Sequence, residues 1–257
     1  METIVNTARA VNTLISLSQA NEAKFLQSIT GLCAAAEFSD EITGQHILRV
    51  NRYSELMART MAMEKNTCIW IGQVAAIHDI GKVAIPHIIK LERKLTARER
   101  REMEMHTIVG ALILDKMMEL HVEEPRMELA RSIALNHHQR FDGKGYPGLS
   151  KSNGELIKLK SRENEAYEGL SPLKGKQIPV IDLIVSLADI YDALRSKRQY
   201  KAPFSHQEAL KLIRLDDRSG STGEQVFSKE VFEAFMDNHQ AFDEIFLSMS
   251  SNALNRS

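Results

Sequence analysis

Ionisable side chains interrupt the most apolar helical stretches of this chain, and that constrains its fold more than any other feature. The run from Cys68 to Ile77 is apolar nearly all round and ends in His78 and Asp79. The run from Val180 to Leu194 is strongly apolar and carries Asp189 inside it. His106 sits in a third helical pattern, His137 ends a fourth, and His46 lies on a less apolar one. An ionised carboxylate in an apolar helix is costly unless a partner compensates, and a metal ion is the strongest partner available. The helices must therefore pack so that these groups meet. Four or five helices, each giving one or two such groups, fit a metal site in a helical core.

The periodicity predicts an all-α fold, a helical bundle with a signalling-type N-terminal helix and additional C-terminal helices. Residues 1–36 form the N-terminal helical segment, where Ile4, Ala8, Val11 and Ile15 are spaced like a coiled-coil seam. That helix either packs on the domain or makes a homodimer contact, and both can hold. A domain over 37–249 follows, then a tail at 250–257. Asp40 or Thr43 would cap a helix through His46, Arg49, Val50, Tyr53 and Leu56. Thr96 with Glu99 is a capping box opening one helix that runs on through His106, Gly110 and Met117. Further helices are expected from about Glu124 to His138, from Pro179, and from Ser205 to about Ile213. Residues 215–225 read as a polar loop, and a last pair of helices covers Ser228 to Met249. Residues 149–177 lack sustained periodicity and read as a long loop, with an inserted segment at 150–172 and a short hairpin near Glu155 to Lys160.

The formal net charge of -1 and pI near 6.8 supply no global field toward duplex nucleic acid or a membrane, so anion binding must be local. No apolar run reaches transmembrane length, and the N-terminus lacks a signal-peptide pattern. Cys33 and Cys68 lie in no Cys-x-x-Cys pair and read as reduced thiols of a cytoplasmic protein.

Neighbours on an α-helix point about 100° apart, so His78 and Asp79 reach different directions. A carboxylate can bridge two ions whereas an imidazole takes one, which makes Asp79 the natural bridge. By the same geometry His137 and His138 do not serve one ion equally. A His/Asp set without thiolates suits Fe, Mn or Zn. A two-metal site can activate water and clamp a phosphodiester for in-line attack. Lys82, one turn past His78, would meet a phosphate oxygen at the rim. Lys144, inside the Gly-rich turn Asp142-Gly143-Lys144-Gly145-Tyr146-Pro147, is a second candidate. His87, His121, His206 and His239 lack such surroundings and read as surface or packing residues.

With these residues the chain resembles the HD-GYP family, the branch of the HD superfamily that hydrolyses cyclic di-GMP. The resemblance spans roughly Glu37 to Phe235. Thr43-Gly-Gln-His46-Ile-Leu-Arg49-Val50 looks like the family's first histidine segment, and His78-Asp79-Ile-Gly-Lys82 like its HD signature. His106-x-x-x-Gly110 resembles the third motif. His137-His138-x-x-x-Asp142-Gly-x-Gly145-Tyr146-Pro147 resembles the naming motif. Ala188-Asp189-Ile-Tyr-Asp192-Ala-Leu, with Arg198, Tyr200 and Lys201, resembles the last.

The resemblance implies an HD-type bundle with two divalent ions, Fe or Mn first, with Zn, Ni or Mg as other options. His46, His78, Asp79 and Asp189 would hold one ion, and Asp79, His106 and His137 the other. Asp79 and Lys82 would be catalytic. Lys82, Arg198 and Lys201 would contact substrate phosphates, with Tyr146 on the substrate in the loop. Members with three metals use a glutamate where this chain has Ile42, so two ions are expected and His138 would face substrate or water. The product would be linear pGpG, with further cleavage to GMP an option.

Gln139 stands where the family commonly has Glu, and Phe141 where it has Trp. Leu91-Glu92-Arg93-Lys94 replaces the usual Lys-Pro-Gly segment, and the segment between Leu149 and Leu173 is an insertion beside the substrate loop. Two rival readings follow. One is a phosphodiesterase for another cyclic dinucleotide such as cyclic GMP-AMP. The other is a non-hydrolysing module that senses the dinucleotide or docks a diguanylate cyclase or other signalling protein.

Overall fold

The computed structural model describes residues 2–37, 44–120, 124–147, 172–196, 202–216 and 219–254. Among them the fold is all-α. Helix α1 spans Glu2–Glu37, α2 Gly44–Thr60 and α3 Lys65–Val74. A 3₁₀ helix, Ala75–Ala84, leads to the short α4, Pro86–Ile89. Then come α5 (Ala97–Glu104), α6 (His106–Leu120) and α7 (Pro125–Asn136). A 3₁₀ turn, Gly175–Gln177, precedes α8 (Val180–Arg195) and α9 (His206–Arg214). The chain closes with α10 (Gly223–Phe227) and α11 (Lys229–Leu254). The strands among the described residues are β1, Leu215–Asp216, and β2, Ser221–Thr222, an antiparallel ladder pairing Leu215 with Thr222.

One apolar core joins α1, α2, α3, the 3₁₀ helix, α7, α8 and α11. Tyr53, Met57, Ile71, Ile77, Ile133, Leu183, Tyr191, Phe235 and Phe242 are each 0 or 1% exposed within it. Tyr53 stacks on Phe242, with centroids 4.6 Å apart, so α11 closes over α2. From α1, Ile29, Cys33 and Ala36 enter the core. Arg126 at the start of α7 holds α1 through Glu22 at 2.8 Å and lies over the Phe25 ring at 3.7 Å. The side chains of the seam residues Ile4, Ala8, Val11 and Ile15 lie outside the described set.

The helix starts follow their capping chemistry. Thr96 with Glu99, and Ser205 with Glu208, form capping boxes in which each side chain meets the other's backbone N–H. The cap expected at Asp40 or Thr43, the segment 150–172, its hairpin and Ile42 fall outside the described residues or on their border.

Four expectations need correction. The apolar run ending in His78 and Asp79 is not one α-helix. It tightens to 3₁₀ at Ala75, where Asn51 Oδ1 takes the Ala76 N–H at 2.9 Å. The helix opened by Thr96 does not run on through His106. It stops at Glu104, because the Met105 N–H turns back to the Glu102 carbonyl and His106 Nδ1 takes the Met103 carbonyl at 2.7 Å. The region 215–225 is not all loop but holds the ladder and α10. The last pair of helices is a single helix, α11, running past Met249 to Leu254. Its apolar positions Val231, Phe235 and Phe242 keep one face on the core without a break.

Candidate metal centre

Five elements bring the ionisable residues together. His46 comes from α2, and His78, Asp79 and Lys82 come from the 3₁₀ helix. His106 opens α6, His137 caps the C-terminus of α7, and Asp189 lies inside α8. The 3₁₀ winding matters here. Residues three apart eclipse one another on a 3₁₀ helix, and Lys82 Nζ accordingly lies 2.7 Å from Asp79 Oδ2. Gly81 lets this helix touch the start of α6. A Cβ there would sit 1.8 Å from the His106 carbonyl oxygen and 2.6 Å from the Gly110 nitrogen. The approach brings Asp79 and His106 within reach of each other.

Four imidazoles share one orientation. Each has its Nδ1 on a scaffold acceptor: His46 on Asp192 at 2.8 Å, His78 on the Ala75 carbonyl at 3.0 Å, His106 on the Met103 carbonyl at 2.7 Å, and His137 on the Ile133 carbonyl at 3.1 Å. An Nδ1–H so engaged leaves the Nε2 lone pair for a metal. The Nε2 atoms converge on the two carboxylates. His46 and His78 each lie 3.7 Å from Asp189 Oδ1. Asp79 Oδ2 is 3.2 Å from His78, and its Oδ1 is 3.4 Å from His106 and 3.8 Å from His137.

Two features show that divalent ions fit. Nε2 of His46 is buried with no hydrogen-bond partner, which is costly for a protein that leaves it so, and that of His78 faces the Asp79 carboxylate at 3.2 Å. His106 and His137 point Nε2 at Nε2 across 3.3 Å, where two lone pairs repel unless a cation or proton lies between them. Three ligand trios overlap: His46, His78 and Asp189; His78, Asp79 and His137; and His106, His137 and His138. In each, the ligand atoms lie within 4.8 Å of one another. His78 and His137 belong to two trios apiece, so the cluster is continuous and large enough for more than one ion. No cysteine belongs to a trio; Cys33 and Cys68 form no disulfide.

The electrostatics favour ligation. Burial would raise the Asp79 carboxyl, but the Lys82 ammonium and His78 outweigh it and hold the group well below the usual carboxylate range. Burial lowers His106, His137 and His138, and the neighbouring imidazoles add to this, which favours the neutral form that a metal needs. His78 goes the other way. Burial opposes its charge, yet the Asp79 carboxylate raises it to about 9. The Asp79 carboxylate that draws this proton also draws a cation, which would have to displace the proton to bind.

The glycine-rich turn lies beside the cluster. The Tyr146 ring sits 4.6 Å from that of His138 and 6.3 Å from that of His106. Its N–H donates to the His138 carbonyl at 3.1 Å, folding the turn back on itself. Gly145 permits this, since a Cβ there would come within 2.4 Å of that carbonyl oxygen and of the Arg140 nitrogen. Lys144 is tied elsewhere, with Nζ donating to Ser221 Oγ at 3.1 Å and lying 4.0 Å from Asp142. Arg198 and Lys201 lie outside the described residues.

Two residues act here for which the sequence suggested no role. Asp192, fully buried, holds both His46 and Arg49, the latter at 2.5 and 2.8 Å. Its signal was its place three residues past Asp189 in an apolar helix. Asp182 on α8 accepts from Ser132 at 2.8 Å and from Asn136 at 2.9 Å, bracing the end of α7 that carries His137.

A His/Asp cluster of this kind, in the core of an all-α bundle and joined to a lysine and a glycine-rich loop, is a divalent-metal centre. The HD domain family profile matches residues 43–194, more than half of the chain. The chain belongs to the HD domain family, in its HD-GYP branch. A Vibrio cholerae protein named cyclic di-GMP phosphodiesterase is 32% identical over 96% of this chain and 46% of its own length. A Thermotoga maritima protein of the same name is 33% identical over 82% of this chain and 48% of its own length. A Vibrio cholerae protein named 3'3'-cGAMP-specific phosphodiesterase 2 is 29% identical over 77% of this chain and 32% of its own length. The chain thus spans less than half the length of these relatives. No helix among the described residues is long and apolar enough to cross a membrane.

Proposed function

We propose that this chain is a metal-dependent phosphodiesterase that opens cyclic di-GMP to linear pGpG, with GMP as a further product, and so lowers a bacterial second messenger. The observation that carries the reading is the continuous cluster of three ligand trios around Asp79, which a pure binding module has no need to assemble. His46, His78, Asp79 and Asp189 would hold one ion and Asp79, His106 and His137 the other. Fe or Mn suits this imidazole and carboxylate set best. When bound, the ions supply Lewis acidity toward a phosphodiester and activate water.

The chain's own residues do the rest. Lys82, held on Asp79, places a cation beside the reacting phosphate and offsets charge that grows on it. Burial favours the neutral form of His106, His137 and His138, in which they do not repel the ions. The Tyr146 ring, tilted against that of His138, would offer a face to a guanine. Arg198 and Lys201 would complete the phosphate contacts. The seam of α1 would make a homodimer, and a cytoplasmic signalling partner such as a diguanylate cyclase would meet the assembled protein.

A second reading is favoured by one finding: a relative at 29% identity carries the name of a cyclic GMP-AMP enzyme. Side-by-side turnover of cyclic di-GMP and 3'3'-cyclic GMP-AMP, after reconstitution with Mn²⁺ or with reduced Fe²⁺, separates the two. Faster cleavage of cyclic di-GMP supports the first reading. Cleavage of cyclic GMP-AMP alone replaces it with the second, and tight binding without cleavage of either makes the chain a sensor.

A further inference from the structure

Gln139 follows the two histidines and is 1% exposed. The two atoms of its amide make different bonds. Nε2 donates to the Pro147 carbonyl, and Oε1 accepts the Leu173 N–H at 3.2 Å. Pro147 and Leu173 are far apart along the chain, so one side chain ties two separate stretches together. The partners fix the amide's orientation, because an N–H needs an oxygen and a carbonyl needs the NH₂. A glutamate of the same length has two acceptors and no donor when ionised. It could meet Leu173, but it would press its second oxygen against the Pro147 carbonyl in a buried place.

The same bonds bear on the substrate loop. Pro147 follows Tyr146, whose ring rests on His138 and whose N–H is held by the His138 carbonyl. Just past Leu173, the Gly175 N–H donates to the Phe141 carbonyl at 2.9 Å, and a Cβ on Gly143 would meet the Lys174 side chain at 3.3 Å. Asp142 is held from another side by Ser221 at 2.8 Å.

We propose that Gln139 is a positioning residue whose amide clasps Pro147 and Leu173 and thereby holds Tyr146 against His138 for the substrate. The substrate part rests on the phosphodiesterase reading; the clasp itself does not. Gln139→Glu removes the donor. Gln139→Met removes both bonds at similar length without burying a charge, and it carries the test should the Glu variant fail to fold. The full chain, reconstituted with Mn²⁺, is compared with both variants by metal content, by backbone hydrogen exchange in peptides covering 138–147 and 172–177, and by kcat and KM for cyclic di-GMP.

The expected result is faster exchange in both peptides for Gln139→Met and in the 138–147 peptide for Gln139→Glu, by about tenfold for one lost buried hydrogen bond. Metal content stays that of the wild type, and KM rises by about tenfold while kcat changes little. Unchanged exchange overturns the clasp. Faster exchange with an unchanged KM overturns the positioning role and leaves Gln139 a packing residue. If the wild type turns over no cyclic di-GMP, the phosphodiesterase reading fails separately, and the exchange data alone decide for or against the clasp.

Discussion

Asp192 takes the Nδ1–H of His46 at 2.8 Å while its other oxygen receives Arg49 Nε at 2.5 Å, so one buried carboxylate both aims an imidazole of the His/Asp cluster and is itself held in place. The pair ties α2 to α8, the two helices that supply His46 and Asp189. Arg49 Nη2 reaches Asp192 Oδ2 at 2.8 Å and Ser196 at 3.1 Å, so both carboxylate oxygens are engaged.

Asp192→Asn should therefore weaken one ion and spare the other. Partners of this kind contribute about 10- to 100-fold to metal affinity. Metal analysis after limited dialysis should show the variant losing the ion of the His46, His78 and Asp189 trio first. Equal retention of metal by variant and wild type would show that Asp192 does not orient His46.

Asp182 gives the stability a pH signature. Burial raises its carboxyl to about 7, while the bonds from Asn136 and Ser132 pull the other way. An unfolded aspartate titrates near 3.9. Between those values the folded chain holds a proton that the unfolded chain has released, so the unfolded state binds fewer protons and stability falls as pH rises. The contribution of Asp182 is therefore fully present below about pH 4 and is lost by about pH 7. The slope is at most about 1.4 kcal/mol per pH unit. Asp182→Asn removes it. Urea unfolding of both proteins at several pH values between 4 and 8 should show the variant gaining on the wild type as pH rises. A constant difference would mean that Asp182 is not protonated in the fold.

Gly81→Ala should be severe. The added Cβ falls 1.8 Å from the His106 carbonyl oxygen, which is backbone and cannot swing aside. The 3₁₀ helix and α6 would have to separate, at a cost of about 3 kcal/mol or more. Thermal unfolding should show a large fall in Tm together with lost metal. A variant with wild-type Tm would contradict the close approach.

Much of this site was legible because its cost was visible. Asp189 in an apolar helix and His78 at the end of another are expensive unless they meet partners, and the structure brings them within 3.7 Å of each other. The winding was not legible. Nothing in Ala75 to Lys82 excludes an α-helix; the 3₁₀ form depends on Asn51 and on the contact of Gly81 with α6, both distant in sequence. The break at Met105 was hidden for a related reason, since it is made by His106 taking a carbonyl that an unbroken helix would use. Lys82 was expected at a rim, whereas the tighter turn sets it on Asp79. Asp192 and Gln139 were visible as letters, but their roles depend on the partners that packing gives them.

Removing metal should loosen the core as well as the chemistry. Without ions, the buried Nε2 of His46 has no hydrogen-bond partner, and the Nε2 atoms of His106 and His137 face each other across 3.3 Å. A ligand present at about 100 times its Kd contributes about 2.7 kcal/mol. That corresponds to a fall in Tm of roughly 5–10 °C for a chain of this size on chelation. Calorimetry with and without a chelator, followed by Mn²⁺ add-back, checks it. An unchanged Tm would mean that the cluster holds no ion in solution.

Asp79 touches Lys82 and stands between His78 and the His106–His137 pair, so the reading depends most on this residue. Wild-type and Asp79→Ala proteins, each exposed to Mn²⁺ or to reduced Fe²⁺, would be incubated with cyclic di-GMP, and the products separated by chromatography alongside metal analysis. Formation of pGpG or GMP by the wild type alone, with metal lost from the variant, is the expected result. Product at the wild-type rate from a metal-depleted Asp79→Ala protein would contradict a metal-dependent phosphodiesterase built on this cluster.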